Sequence, residues 1–149
     1  MAQRSFHLYA VVPVDPGSAI DFLTDLARHR GLHPYLEDAV IIEEGDSDAG
    51  HWQQWRIHER PRLGPFRYSL RFGARLTRTS PTSYTSSVLA APGCTIEAVT
   101  HARLGDTPGT ALVDERSVVT APAPLLSYMA RHAEVAHART FRLLPAVLG

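Results

Sequence analysis

Apolar and polar positions alternate along most of this chain, and the spacing changes to a helical one in only two places. Phe6 to Val14 alternates and is rich in valine and aromatic residues, which predicts a first strand. Asp15-Pro16-Gly17 ends it, with Asp15 suited to cap a helix and Pro16 to sit in its first turn. Ile20, Phe22, Leu23 and Leu26 then recur at helical spacing until Gly31. Pro34 to Asp38 reads as a second short helix or a turn, because Pro34 restricts His33. Six further strand-like runs follow, separated by turns and not by helices. They are Ala39 to Glu44, Trp52 to Arg60, Phe66 to Thr79, Thr82 to Ala91, Cys94 to Leu104 and Thr110 to Thr120. The turns between them include Gly45 to Gly50, Pro92-Gly93 and Gly105 to Gly109.

The run from Phe66 has the cleanest alternation. Phe66, Tyr68, Leu70, Phe72, Ala74 and Leu76 share one face, while Arg67, Ser69, Arg71, Arg75 and Thr77 share the other. That pattern belongs to an antiparallel sheet with one wet face. After Pro122 and Pro124 there is no Gly or Pro until Pro145, and Leu125, Met129, Ala133, Ala136, Thr140 and Leu144 fall on one side of a long helix. Met129 and Ala133 are expected to be buried, and Arg131 and Glu134 solvated. Hairpins closed by one terminal helix give an α+β fold of seven antiparallel strands. One covering helix cannot fill the concave side of such a sheet with backbone, so side chains or a ligand must fill it.

The chain of 149 residues fits one domain, residues 1–149, with no repeat or linker. It is long enough to need neither disulfide nor structural metal. The single Cys94 cannot form an intrachain bridge. Fifteen basic residues, all arginine, balance fifteen acidic ones, which argues against a nucleic-acid footprint. The high Ala, Arg, Pro and Gly usage is of the kind that GC-rich, actinobacterial-like coding produces. No signal peptide or membrane-spanning run is read, so a cytoplasmic location is expected.

The order of motifs resembles the START-like, or SRPBCC, superfamily. Val12-Pro13-Val14-Asp15-Pro16 before Ile20-Asp21-Phe22-Leu23-Thr24-Asp25 is similar to that family's opening strand, proline and first helix. His33-Pro34-Tyr35-Leu36 before Val40-Ile41-Ile42-Glu43-Glu44 is similar to its aromatic-proline stretch and second strand. Gly109 to Glu115 resembles its seventh strand, and Ala121 to His137 the final helix of polyketide-cyclase-like members. The resemblance implies the helix-grip fold: a seven-stranded antiparallel sheet wrapped around the long C-terminal helix, with two short helices after strand one. It also implies a cavity for a small hydrophobic ligand. Members include carriers, allergens, hormone receptors and polyketide aromatase/cyclases, so fold does not choose among them.

Candidate chemistry centres on Glu115. Strict alternation puts it with Ala111, Val113, Ser117 and Val119 on the more apolar face, where desolvation would raise its pKa and suit it to general acid–base work. A one-residue bulge would instead turn it to solvent and bring Asp114 or Arg116 inward. The expected partners of an inward Glu115 are Arg56, His101 or His132. Tyr35, Trp55, Tyr68, Phe72 and Met129 are the expected ligand lining, against the alternative of ordinary core.

Eight histidines are many, but His132 and His137 are five apart, a poor spacing for a shared metal. No metal or cofactor is implied. Most of the histidines are expected at the surface or at caps, above all those late in the last helix. The expected function is binding of a small hydrophobic or aromatic molecule, polyketide- or lipid-like, with a homodimer as one option for assembly. The alternative is a polyketide aromatase/cyclase working by acid–base catalysis.

Overall fold

The computed structural model describes the backbone of residues 1–33, 35–91 and 93–149, and the side chains of all of these but 62, 63 and 91. The chain begins with strand β1 (Ala2–Val12), helix α1 (Pro16–Thr24) and a single 3-10 turn (Leu26–Arg28). Strands β2 (Leu36–Ser47) and β3 (Gly50–Glu59) follow as a hairpin. The two-residue strands β4 (Arg62–Leu63) and β5 (Phe66–Arg67) then pair with each other. Strands β6 (Leu70–Ser80), β7 (Ser83–Ala91), β8 (Cys94–Leu104) and β9 (Ala111–Ala121) complete the sheet, and helix α2 (Ala123–Leu148) closes the chain. The sheet order is β1-β9-β8-β7-β6-β3-β2, antiparallel throughout, so the molecule has the helix-grip α+β architecture.

The inward rows of the sheet follow from strand alternation. In β9, Ala111, Val113, Glu115, Ser117, Val119 and Ala121 are all buried, and no bulge interrupts the register with β1 or β8. In β8, Ala98, Thr100 and Ala102 face inward while Val99, His101 and Arg103 are exposed. Helix α2 lies across β1 and β9, with Ala130 and Ala133 packed on Phe6 and Val119. Small residues at 130, 133 and 136 let this helix approach closely. A second cluster joins Val12, Ile20, Leu23, Trp55, Val113 and Leu144 under α1. Asp15 caps α1 by accepting from Ser18 N at 3.0 Å.

Several boundaries differ from those the sequence predicts. The second short helix is the turn at Leu26–Arg28, and the segment after residue 34 enters β2 at Leu36. The expectations for Pro34 and Pro92 lie outside the described residues. The turn expected over Gly45 to Gly50 shrinks to Asp48 and Ala49, because the hairpin runs on to the Ser47–Gly50 pair. At Gly50, whose φ is 138°, a Cβ would overlap the carbonyl oxygen of Arg78 on β6. Only glycine lets β3 begin so close to its neighbour. The long strand expected from Phe66 is split at residue 68, because Phe66 belongs to the β4–β5 hairpin turned by Gly64 at φ 61°. Pro145 does not end α2. Leu144 is fully buried and Leu148 packs on the same core, so burial holds the last turn beyond the proline. Ala133 is buried and Arg131 and Glu134 are exposed, as the helical spacing predicts, whereas Met129, expected to be buried, is only half-buried.

Candidate functional site

A cavity of about 350 Å³ lies between the concave face of the sheet, helix α2 and the segment after α1. Most of its wall is apolar: Leu26, Phe72, Leu76, Val88, Met129 and Phe141 contribute side chains from four elements. This size falls within the usual range for small-molecule pockets. Its polar groups are few and concentrated in two acid–histidine pairs.

The first pair joins β9 to α2. Glu115 is 5% exposed, and His137 Nδ1 donates to its Oε2 at 2.7 Å. Burial opposes the charged form of His137. The charge of Glu115, the hydrogen bond to it and the charge of Glu59 outweigh that and hold the imidazole above its usual pKa. The pairing thus favours the charged form of His137 beyond what an isolated imidazole would show. Phe6 meets the His137 ring edge-on at 5.7 Å and fixes its plane. Tyr84 and Thr100 stand opposite one another on β7 and β8, and Thr100 stands opposite Glu115 on β9. Burial, and next the charge of Glu115, push the Tyr84 phenol above its usual pKa, with the Thr100 hydroxyl pulling the other way.

The second pair joins the end of β3 to the segment after α1. Glu59 is 8% exposed, and its Oε2 lies 3.1 Å from His33 Nδ1. The two atoms are within ion-pair distance but off the hydrogen-bond line, and His33 Nδ1 is otherwise buried without a partner among the described residues. Burial raises Glu59 to about 7, only partly offset by the charge of His137. Burial and the neighbouring histidines and Arg139 lower His33 to about 3. Near neutrality His33 is therefore uncharged, and Glu59 is close to half protonated.

His29 and His132 add two further imidazoles to the wall, and Tyr84, Ser86 and Thr140 add hydroxyl groups. His29 Nε2 donates to the Phe22 carbonyl at 2.8 Å, so this histidine caps the end of α1, and burial keeps it below its usual pKa. His132 stacks on Tyr35 at 5.3 Å and on Tyr128 at 6.0 Å. Among the described residues, no three His, Cys, Asp or Glu side chains are disposed to hold a metal ion. Among the described residues no helix is long and apolar enough to cross a membrane.

Of the residues singled out in the sequence, Glu115, Tyr68, Phe72, Met129 and His132 line the cavity. Tyr35 is not in the wall and reaches it through its stack on His132. Trp55 is 3% exposed and belongs to the core under α1 instead of the wall. Arg56 and His101 are exposed on the opposite face of the sheet, which alternation requires once Trp55 and Thr100 face inward. The partner of Glu115 is thus His137, not Arg56, His101 or His132. His33, Glu59 and His137 were not foreseen as site residues. The signals existed: His137 continues the Met129–Ala133 spacing by one turn, and Glu59 continues the Trp55–Ile57 row by one step.

The chain is similar in fold to several solved structures. It matches Ara h 8.0201 with a TM-score of 0.72 at 13% identity, over 99% of this chain and 98% of that one. The Zhui aromatase/cyclase from a Streptomyces species matches with a TM-score of 0.70 at 17% identity, over 99% and 93%. A START superfamily protein from Mycobacterium smegmatis matches with a TM-score of 0.64 at 14% identity, over 94% and 98%. No family model and no curated protein matches the sequence. At such identities the likeness concerns the fold.

Proposed function

We propose that this chain, whose fold is that of the START-like (SRPBCC) superfamily, binds one small, largely apolar and aromatic ligand in the cavity under α2. The observation that carries this reading is the cavity itself, about 350 Å³ with a mainly apolar wall and two buried acid–histidine pairs. So large an apolar wall in contact with water is unfavourable. A ligand that fills the cavity covers that wall, and the polar pairs fix its orientation. Polyketide- and lipid-like molecules have suitable surfaces.

The test is calorimetric titration with isopropylnaphthalene, a neutral probe without a hydrogen-bonding group. One site per chain is expected, and Ala133→Phe, which grows a ring into the wall, should weaken it at least about tenfold. Absence of binding up to the solubility limit, or equal binding by a folded Ala133→Phe, would reject the reading.

A second reading, an aromatase/cyclase-type enzyme, is favoured by one observation. His137 Nδ1 is tied to Glu115, so its Nε2 is free to exchange a proton with a bound molecule. In that reading Glu115 orients the ring, the neutral form of His137 takes a methyl proton at Nε2, and the imidazolium so formed exchanges with solvent and returns a proton to the same carbon. Deuterium uptake from heavy water by the methyl group of a bound methyl naphthyl ketone should then fall in His137→Gln while binding survives. Equal uptake by both proteins would leave the binder reading alone.

A further inference from the structure

We propose that Glu59, backed by His33, is a hydrogen-bond-donating subsite that selects a neutral oxygen acceptor, such as a ketone carbonyl, on the ligand. This rests on the ligand-binding reading and adds to it the chemical class of the ligand's polar group. The geometry is specific. Glu59 ends the inward row of β3 and lines the cavity, yet no arginine reaches it and it makes no hydrogen bond among the described residues. His33 stands beside one carboxyl oxygen, Oε2, at 3.1 Å, and leaves Oε1 without a partner. A buried carboxyl with an open oxygen is costly as an anion. As an acid it has one O–H to give, and a carbonyl oxygen is the complementary group.

The surroundings bias the choice further. The groups facing this subsite are His29 and His33 from the segment after α1, His132, His137 and Arg139 from α2, and Glu115 from β9. Burial disfavours the charged forms of His29 and His33, and His137 faces Glu115 at 2.7 Å. Arg139, which acts on His33, lies outside the cavity wall, so among the described residues the wall itself offers a carboxylate ligand no arginine. A neutral acceptor is therefore the better fit than an anion. Glu59, near 7, is the group whose proton is lost as the solution passes neutrality. Its carboxylate form can only accept, so carbonyl recognition should weaken above that point.

The test compares three probes by calorimetry: methyl naphthyl ketone, isopropylnaphthalene and naphthoate. The first two have nearly the same shape and differ in the acceptor. Wild-type protein should bind the ketone about tenfold more tightly than isopropylnaphthalene under mildly acidic conditions, with the advantage shrinking as pH rises through neutrality. Glu59→Gln keeps a donor but cannot titrate, so it should retain the ketone preference and lose its pH dependence. Glu59→Leu should bind both neutral probes alike. His132→Gln should leave the pH dependence in place, and near-ultraviolet circular dichroism checks that each variant is folded.

Equal affinity of the two neutral probes for the wild type would overturn the proposal while leaving the cavity reading intact. So would a pH dependence that persists in Glu59→Gln and vanishes in His132→Gln, or tighter binding of naphthoate than of the ketone. If isopropylnaphthalene and the ketone both fail to bind, the cavity reading falls and this proposal falls with it.

Discussion

The two acid–histidine pairs use the same residue types in the same cavity, and their histidines shift in opposite directions. Glu115 and His137 meet at 2.7 Å with a true hydrogen bond, and His137 is raised above its usual pKa despite its burial. Glu59 and His33 lie 3.1 Å apart off the bonding line, and both shift toward their neutral forms. Neither difference comes from composition. At the first pair, charge and hydrogen bonding outweigh desolvation; at the second, desolvation wins. A histidine beside a glutamate is thus not in itself an ion pair.

Removing the acid from each pair should change stability in opposite directions. Glu115→Gln leaves a half-buried imidazole without its counter-charge and is expected to cost about 2 kcal/mol at neutral pH. His137 should then titrate lower, which proton NMR of the imidazole reads directly. Glu59→Gln removes a carboxylate that is costly once ionised. It should stabilise the protein by about 2 kcal/mol near pH 8 and by almost nothing near pH 5, in urea unfolding. A loss of stability from both changes would erase the contrast.

The pH dependence of the wild type sharpens it. Glu59 is raised from 4.5 to about 7, so its stabilising protonated form is fully present below 4.5 and its contribution is lost as pH rises toward 7. His33 is lowered from 6.5 to about 3, so its contribution is present above 6.5 and lost as pH falls toward 3. Between 4.5 and 6.5 the two slopes oppose each other and should nearly cancel, giving a plateau with losses on both sides. His137, raised by Glu115, adds to the loss on the alkaline side. Stability that climbs steadily across the plateau would mean that His33 is lowered while Glu59 is not raised.

The smallest effects belong to the outer face. Arg56→Ala and His101→Ala should stay within about 0.5 kcal/mol of the wild type and leave probe affinity unchanged. A marked loss of affinity in either would move the binding surface away from the cavity.

Much of the sheet was legible in the sequence because alternation is a local signal. β8 spans Cys94 to Leu104 as predicted, and the inward row of β9 includes Glu115. The boundaries that shifted were set by contacts distant in sequence. Gly50 sits against Arg78, and the helix passes Pro145 because Leu144 is buried.

The site was only half legible for the same reason. Alternation alone excluded Arg56 once Trp55 faced inward. It could not show that α2 lays His137 on Glu115, or that the segment after α1 brings His33 to Glu59. Those meetings depend on where helix and loop cross the sheet.

The central claim, that the concave face encloses a ligand, is tested most directly by intermolecular NMR contacts from bound methyl naphthyl ketone. Contacts are predicted to the methyl groups of Met129, Ala133 and Ala136, which line the cavity. Contacts confined to outer-face residues such as Val99 or Val11, with none to these three methyls, would contradict it.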